Sequence, residues 1–183
     1  MTASDSHFSH LPECQTSSCE ESSSNGHHNN GKDQSTPLRE HFWERFTLDE
    51  LTDTEWEALC DGCGRCCLMK MEDPDTGEVA LLDVSCSLLD TESCQCSDYE
   101  HRFERVPECT QLTRENLPAF NWLPGSCAYR RMAEGRGLAG WHPLIAGNTQ
   151  RMHRKGISVK GIAISENEVD EEDFEEHIIA ILR

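Results

Sequence analysis

The sequence predicts a small, irregular α+β domain, rich in cysteine, with short helices and a hairpin around one or two metal centres and a disordered N-terminal tail. Three observations predict it. Nine cysteines fall between positions 60 and 127, four of them within eight positions. Two apolar segments flank a turn bearing Pro and Gly, the mark of a hairpin. The helical patterns before the C-terminal segment are short, and Gly or Pro follows closely on each.

Residues 1–40 read as a disordered low-complexity extension and 41–183 as the cysteine-rich metal-binding domain. The extension is rich in Ser, Asn, His and Gly, as in Ser22-Ser23-Ser24-Asn25-Gly26-His27-His28. It carries too little apolar surface to offset its ordering entropy. Cys14, Cys19, His7, His10, His27 and His28 lie in it, and are read as incidental ligand types in a polar tail.

Order begins near Phe42. Thr52-Asp53-Thr54-Glu55 fits a capping box, with Thr at the cap and Glu three residues later. The helix it opens places Trp56, Leu59, Cys60 and Cys63 on one face. Gly62 and Gly64 break it, so Cys63 to Cys67 falls on turns. Leu68 to Met71 and Glu78 to Leu82 form the hairpin across Asp73-Pro74-Asp75-Thr76-Gly77. Cys86 lies just after its second strand, Cys94-Gln95-Cys96 in a polar loop. Short helices are predicted over 99–105 and 113–117. Pro124-Gly125-Ser126 opens another, stopped by Gly135, with Cys127 in its first turn, where the helix dipole favours a thiolate. Trp141-His142-Pro143-Leu144 reads as an irregular connection and Ile157 to Ile164 as a strand with a bulge at Gly161. Glu171 to Leu182 is predicted as an amphipathic helix carrying Phe174, His177, Ile178, Ile181 and Leu182 on its apolar stripe, His177 as a packed histidine.

Composition narrows the function. With 34 acidic against 16 basic residues the formal net charge is −18. Phosphate binding needs a basic footprint. The densest basic run, Arg151 to Lys160, reads as a solvated turn, so nucleic acid is not an expected partner. No stretch approaches the ~20 apolar residues of a membrane helix, so no membrane association is expected. Met1 to His10 has neither the basic start nor the apolar run of a signal peptide. The expected location is therefore cytoplasmic, where thiols stay reduced. No internal repeat, phosphate-binding glycine loop or Ser/His/Asp arrangement is present.

The cysteines carry the chemistry. Cys60, Cys63, Cys66, Cys67, Cys86, Cys94, Cys96, Cys109 and Cys127 are the candidate metal ligands. Thiolates gathered this densely repel one another unless a soft cation sits among them. Eleven cysteines in the chain and nine in the domain are both odd numbers, so neither set can pair completely as disulfides. Buried cysteines act singly as small hydrophobes, which does not account for four in eight positions. Cys60/Cys63 and Cys63/Cys66 each have Cys-x-x-Cys spacing for one tetrahedral metal. Cys66 and Cys67, as neighbours, point in different directions, so one joins that site more easily than both. Cys94 and Cys96 point the same way if extended. Nine thiols allow two four-ligand sites with one left over, or an iron–sulfur cluster with spare cysteines. Spacing does not separate these, since zinc and iron–sulfur centres both accept four thiolates. His142 and His153 are further candidates for a mixed site, and Asp61 for a contact just behind it.

These residues resemble a known family. Cys60-x-x-Cys63-x-x-Cys66-Cys67 is similar to the motif of the CxxCxxCC family of zinc- or iron-chelating domains, and more closely to its YcgN-type bacterial branch. Trp56-Glu57-x-Leu59-Cys60-Asp61-Gly62-Cys63-Gly64, Cys94-Gln95-Cys96, Leu112 to Pro118, Trp122-Leu123-Pro124, Cys127-Ala128-Tyr129-Arg130 and Trp141-His142-Pro143-Leu144 carry the likeness in consistent order. The resemblance implies that all nine domain cysteines belong to the family pattern. It also implies a site for zinc or iron, while Cys14 and Cys19 fall outside it. The family is named for its motif, so the resemblance implies little about a reaction. The expected function is metal binding through the nine cysteines. An iron–sulfur redox protein or enzyme, and an acidic interaction adaptor with purely structural metal, stay open beside it.

Overall fold

The computed structural model describes residues 37–182. Up to residue 36 the expected extension, with Cys14, Cys19 and its histidines, lies outside the described residues.

Helix α1 (Phe42–Arg45) and helix α2 (Asp53–Ala58) start the first core. α2 opens on the predicted capping box. The Glu55 amide donates to Thr52 Oγ1 at 3.2 Å, and the Thr52 amide donates to the Glu55 carboxylate at 3.0 Å. Caps of this kind contribute about 1 kcal/mol. Glu55 is also buried, because Arg39 brackets it. The Arg39 Nε and Nη2 donate to its two oxygens at 2.8 and 2.6 Å, and the Arg39 amide donates at 3.1 Å. Trp56 follows, its indole N–H on the Leu112 carbonyl. The Tyr129 hydroxyl donates to the Trp56 carbonyl at 2.9 Å. Phe42, Leu51, Trp56, Leu59, Leu117, Leu123 and Tyr129 thus close one apolar cluster from both ends of the domain.

The helix stops earlier than its apolar stripe suggests. Leu59 is its cap, so Cys60 and Cys63 lie beyond it rather than on its face. Gly62 and Gly64 both adopt positive φ, at 69° and 76°. At Gly64 a Cβ would meet Val159 Cγ2 at 2.7 Å, so this turn needs glycine for space as well as conformation.

The predicted hairpin is present as β1 (Leu68–Glu72) and β2 (Val79–Ser85). Asp73 Oδ1 organises the turn by accepting from the amides of Asp75 and Thr76. A second, minimal hairpin follows: β3 (Leu89–Asp90) pairs antiparallel with β4 (Gln95–Cys96). Cys94 sits in its turn at φ 59°, so the extended geometry that would align it with Cys96 does not form. α3 (Arg102–Arg105) is shorter than predicted, and the helix expected near Thr113 is a single 3-10 turn at Leu117–Ala119. α4 (Ala128–Ala133) runs as predicted to a Gly135 stop, although Cys127 is its cap rather than a member of its first turn.

Three later segments differ from expectation. The irregular connection contains helix α5 (Pro143–Ala146), capped by the His142 side chain. The basic run contains helix α6 (Gln150–Arg154), which buries Met152 completely. The strand expected from Ile157 shrinks to β5 (Ile164–Ser165), parallel to the end of β2. The residues before it are turns, because the Val159 amide is already committed to the Cys63 carbonyl at 2.9 Å.

The C-terminal helix does not form. Glu171–His177 is a 3-10 segment, and β6 (Ile178–Leu182) is a strand antiparallel to β2. β2 needs backbone partners on both edges, with β1 on one and β6 on the other, and a helix supplies none. Three isoleucines among five residues also favour a pleated edge. His177 leaves the apolar stripe and pairs with Asp83 Oδ1 at 2.7 Å. Phe174 and Val169 pack on Ala80, Leu82 and Val84 of β2.

Candidate metal centre

Cys60, Cys63 and Cys66 come from the loop that Gly62 and Gly64 bend. This loop is pinned from afar. Arg65 Nε donates to the Ile157 carbonyl at 2.6 Å and its Nη2 to the Gly156 carbonyl at 3.0 Å. Together with the Val159–Cys63 bond, these fix the loop against the segment after α6. Tyr129 holds α4 against α2, and so brings the α4 cap, Cys127, to the same place. Cys60, Cys63, Cys66 and Cys127 line one cavity of about 30 Å³, together with Asp61, Arg65 and Tyr129.

Asp61 is the informative neighbour. It is 6 % exposed. Its Oδ1 accepts from the Cys63 amide at 3.0 Å. Its Oδ2 is buried with no hydrogen-bond partner, one of two such side-chain atoms among the described residues, with Trp43 Nε1 the other. A buried carboxylate oxygen left bare among sulfurs is costly. A cation in the cavity removes that cost.

The sulfurs show the same strain. Burial pushes the Cys60 thiol up to about 12, and Cys66 adds to the effect, although part of the residue reaches solvent. Burial, then the Asp61 charge, raises Cys63 well above the usual thiol range. Cys66 is raised by its hydrogen bond with the Cys67 side chain and by burial. At Cys127 burial outweighs the Arg130 and Tyr129 amides, so the expected helix-end lowering is overturned and the thiol is raised. Each group would deprotonate readily only with positive charge beside it.

One cation is already close. Lys70 Nζ donates to the carbonyls of Cys66 and Leu68 at 3.1 and 2.6 Å and lies 4.1 Å from the Trp122 ring centroid. Burial lowers its pKa, while the sulfurs of Cys66 and Cys67 oppose that. Sequence reasoning missed Lys70. A lone lysine in an apolar strand four residues beyond Cys66 was the available signal.

The remaining candidates spread outward. Cys67 packs beside Leu68, Leu81, Leu89, Cys94 and Val159. Cys94 is 3 % exposed within that cluster. Cys86, Cys96 and Cys109 are half-buried, and all nine cysteines are free thiols. The histidines do not join them. His142 uses Nε2 on the Leu59 carbonyl and Nδ1 on the Leu144 amide. His153 Nδ1 lies 2.7 Å from Ser158 Oγ. As the side chains stand, no three of His, Cys, Asp and Glu among the described residues close tightly enough to hold an ion. The donors are gathered, but their coordination sphere is unfinished. In kind they fit a thiophilic metal: four sulfurs and one bare carboxylate oxygen around one small space.

A recess of about 1110 Å³ lies elsewhere, lined by Trp43, Phe46, Arg114, Phe120 and Arg130 among others, and by no cysteine. Among the described residues no helix is long and apolar enough to cross a membrane.

Residues 59–128 match the CxxCxxCC family, described as "Putative zinc- or iron-chelating domain". A UPF0260 protein of Proteus mirabilis is 57 % identical over 138 residues, which cover 75 % of this chain and 92 % of that one. The UPF0260 protein YcgN of Escherichia coli is 54 % identical over 138 residues, 75 % of this chain and 89 % of its own. A UPF0260 protein of Rhizobium leguminosarum is also 54 % identical over 138 residues, 75 % of this chain and 86 % of its own. No solved structure matches.

Proposed function

Because the chain belongs to the UPF0260 family and carries its CxxCxxCC domain, we propose that it chelates one zinc or ferrous ion through Cys60, Cys63, Cys66 and Cys127, beside Asp61. The observation that carries this reading is the shared cavity. Four cysteines from two segments, joined by a buried carboxylate oxygen without a partner, line about 30 Å³. A cavity needs roughly 10–15 Å³ to hold one water, so the space suits a single ion better than a cluster.

When bound, the metal supplies positive charge that keeps the thiolates ionised and ties the 60–66 loop to α4. The chain's own residues do the rest. Gly62 and Gly64 bend the loop, Arg65 and Val159 anchor it, and Tyr129 brings Cys127 in. Lys70 offsets part of the negative charge that four thiolates and Asp61 build up. A reducing, cytoplasmic setting belongs to this reading, since free thiols in such number persist where glutathione and thioredoxin keep them reduced.

The test is elemental analysis with an absorption spectrum on untagged protein purified anaerobically. Zinc or iron at one or more equivalents per chain, with one equivalent lost on replacing Cys60 and Cys127 with Ser, is the expected result. Protein that retains no transition metal overturns the reading. A brown protein with acid-labile sulfide would overturn the single-ion part and make the centre an iron–sulfur cluster.

A further inference from the structure

Five cysteines stay outside the small cavity, and four of them lie around one backbone junction. The Cys86 amide donates to the Cys67 carbonyl at 2.9 Å, extending the β1–β2 ladder by one rung beyond Leu68 and Ser85. Directly after it the chain turns tightly. The Leu89 amide donates to the Cys86 carbonyl at 2.9 Å and the Leu88 amide approaches Cys86 Sγ at 3.5 Å. Leu89 is the pairing partner of Cys96, and the Ser97 amide donates to the Leu88 carbonyl at 2.7 Å. Cys67, Cys86 and Cys96 therefore meet at the open end of the small hairpin. Cys109 arrives from a separate turn, closed by its own amide on the Val106 carbonyl. Its thiol lies within electrostatic reach of Arg102, Cys86, Cys96 and Cys66.

We propose that Cys67, Cys86, Cys96 and Cys109 form a second thiolate centre for a zinc or ferrous ion, distinct from the one around Asp61, and that Cys94 serves neither. All four are half-buried, and three of them lie in none of the apolar clusters. Packing as small hydrophobes therefore does not account for Cys86, Cys96 and Cys109. A divalent ion with four thiolates leaves two negative charges. Arg102 is near enough to offset them, its guanidinium carbon 3.7 Å from the Tyr99 ring centroid and 4.2 Å from that of Phe103. Cys94, by contrast, is buried among Leu68, Leu81, Leu89 and Val159. The adjacent pair Cys66 and Cys67 is then divided, one sulfur to each centre.

This rests on the reading that the chain chelates metal, but not on which centre fills first. Metal-free protein is titrated with zinc sulfate alone under anaerobic conditions, and bound zinc is counted per chain. Wild type should hold two ions. The pair of changes Cys86→Ser and Cys109→Ser should leave one, and so should Cys60→Ser with Cys127→Ser. A wild-type count of one, lost only with Cys60 and Cys127, overturns the second centre and leaves the first standing. A count of zero overturns both. A measurement on wild type alone covers variants that fail to fold. Iodoacetamide labelling read by peptide mass should show Cys86, Cys96 and Cys109 becoming protected as zinc is added to saturation. Undiminished labelling of these three at saturation would sink the proposal.

Discussion

The His142 Nε2 donates a hydrogen bond to the Leu59 carbonyl at 3.1 Å, 83 residues earlier in the chain. Its Nδ1 accepts from the Leu144 amide at 3.2 Å. Those two bonds fix a single neutral tautomer, and burial lowers the ring's pKa in the same direction. The carbonyl it holds belongs to the residue just before Cys60, so the α5 connection sets the entry to the metal loop. Replacing His142 with Leu puts an apolar side chain of similar volume there and strands the carbonyl. A loss of about 2 kcal/mol is expected, read as a lower urea midpoint with unchanged slope. His142→Gln, which can still reach the carbonyl, should recover part of it.

Asp61 offers a separation of metal binding from folding. Asp61→Asn keeps an acceptor for the Cys63 amide and removes the charge of the unpartnered oxygen. Metal affinity should fall about 10- to 100-fold, as for other contacts just behind a metal's ligands. The melting temperature of the metal-free protein should hold or rise. Competition against a chromophoric chelator measures the first, and calorimetry of the chelated protein the second.

Glu55 makes acid sensitivity local. Its bonds to Arg39, with help from the Thr52 and Arg39 amides, hold its carboxyl at about 2, against the burial that would raise it. An unfolded glutamate titrates near 4.3. The folded state therefore gains stability from this group at any pH above that value and loses it as pH falls toward 2. With Arg39 37 % exposed, the gain is discounted to about 2 kcal/mol. Wild type and Glu55→Gln should differ by that amount from pH 7 to 5, and the gap should close on further acidification. Thermal melts of metal-free protein across that range check it.

Gly64 is the least replaceable residue of the loop. Alanine there meets both a positive φ of 76° and Val159 Cγ2 at 2.7 Å. Gly64→Ala should cost about 2 kcal/mol or more. Adding Val159→Ala removes the clash but not the backbone penalty, so a double-mutant cycle should show partial rescue.

Cys94 separates ligand from packing. Cys94→Ala should leave the metal count unchanged and lower stability by about 1 kcal/mol, since it empties part of a buried site 3 % exposed. A fall in bound metal would return Cys94 to the ligands.

What was legible in the sequence follows the range of the interaction. The Thr52–Glu55 box and the Asp73–Gly77 turn are local chemistry, and both form as read. The four-in-eight cysteines announced the site, because crowded thiols need an explanation wherever they occur. Cys127 as the partner of Cys60 was not legible, since long-range contacts, Tyr129 to Trp56 across 73 residues among them, bring α4 there. The C-terminal segment was misread for a related reason. Its apolar spacing suits a helix, but the open edge of β2 is a demand no local pattern reveals. At Ile157 to Ala163 the strand pattern yielded to a hydrogen bond from Val159 to Cys63.

Arg65 reaches carbonyls 91 and 92 residues further along the chain. On a ribosome adding roughly 5–20 residues each second, the motif cysteines emerge about 5–20 s before the segment that clamps them. For that interval the newborn chain carries four unshielded thiols in eight positions, open to wrong ions and oxidants. The far anchor makes assembly of the centre a late event of synthesis, governed by when Gly156 and Ile157 leave the exit tunnel.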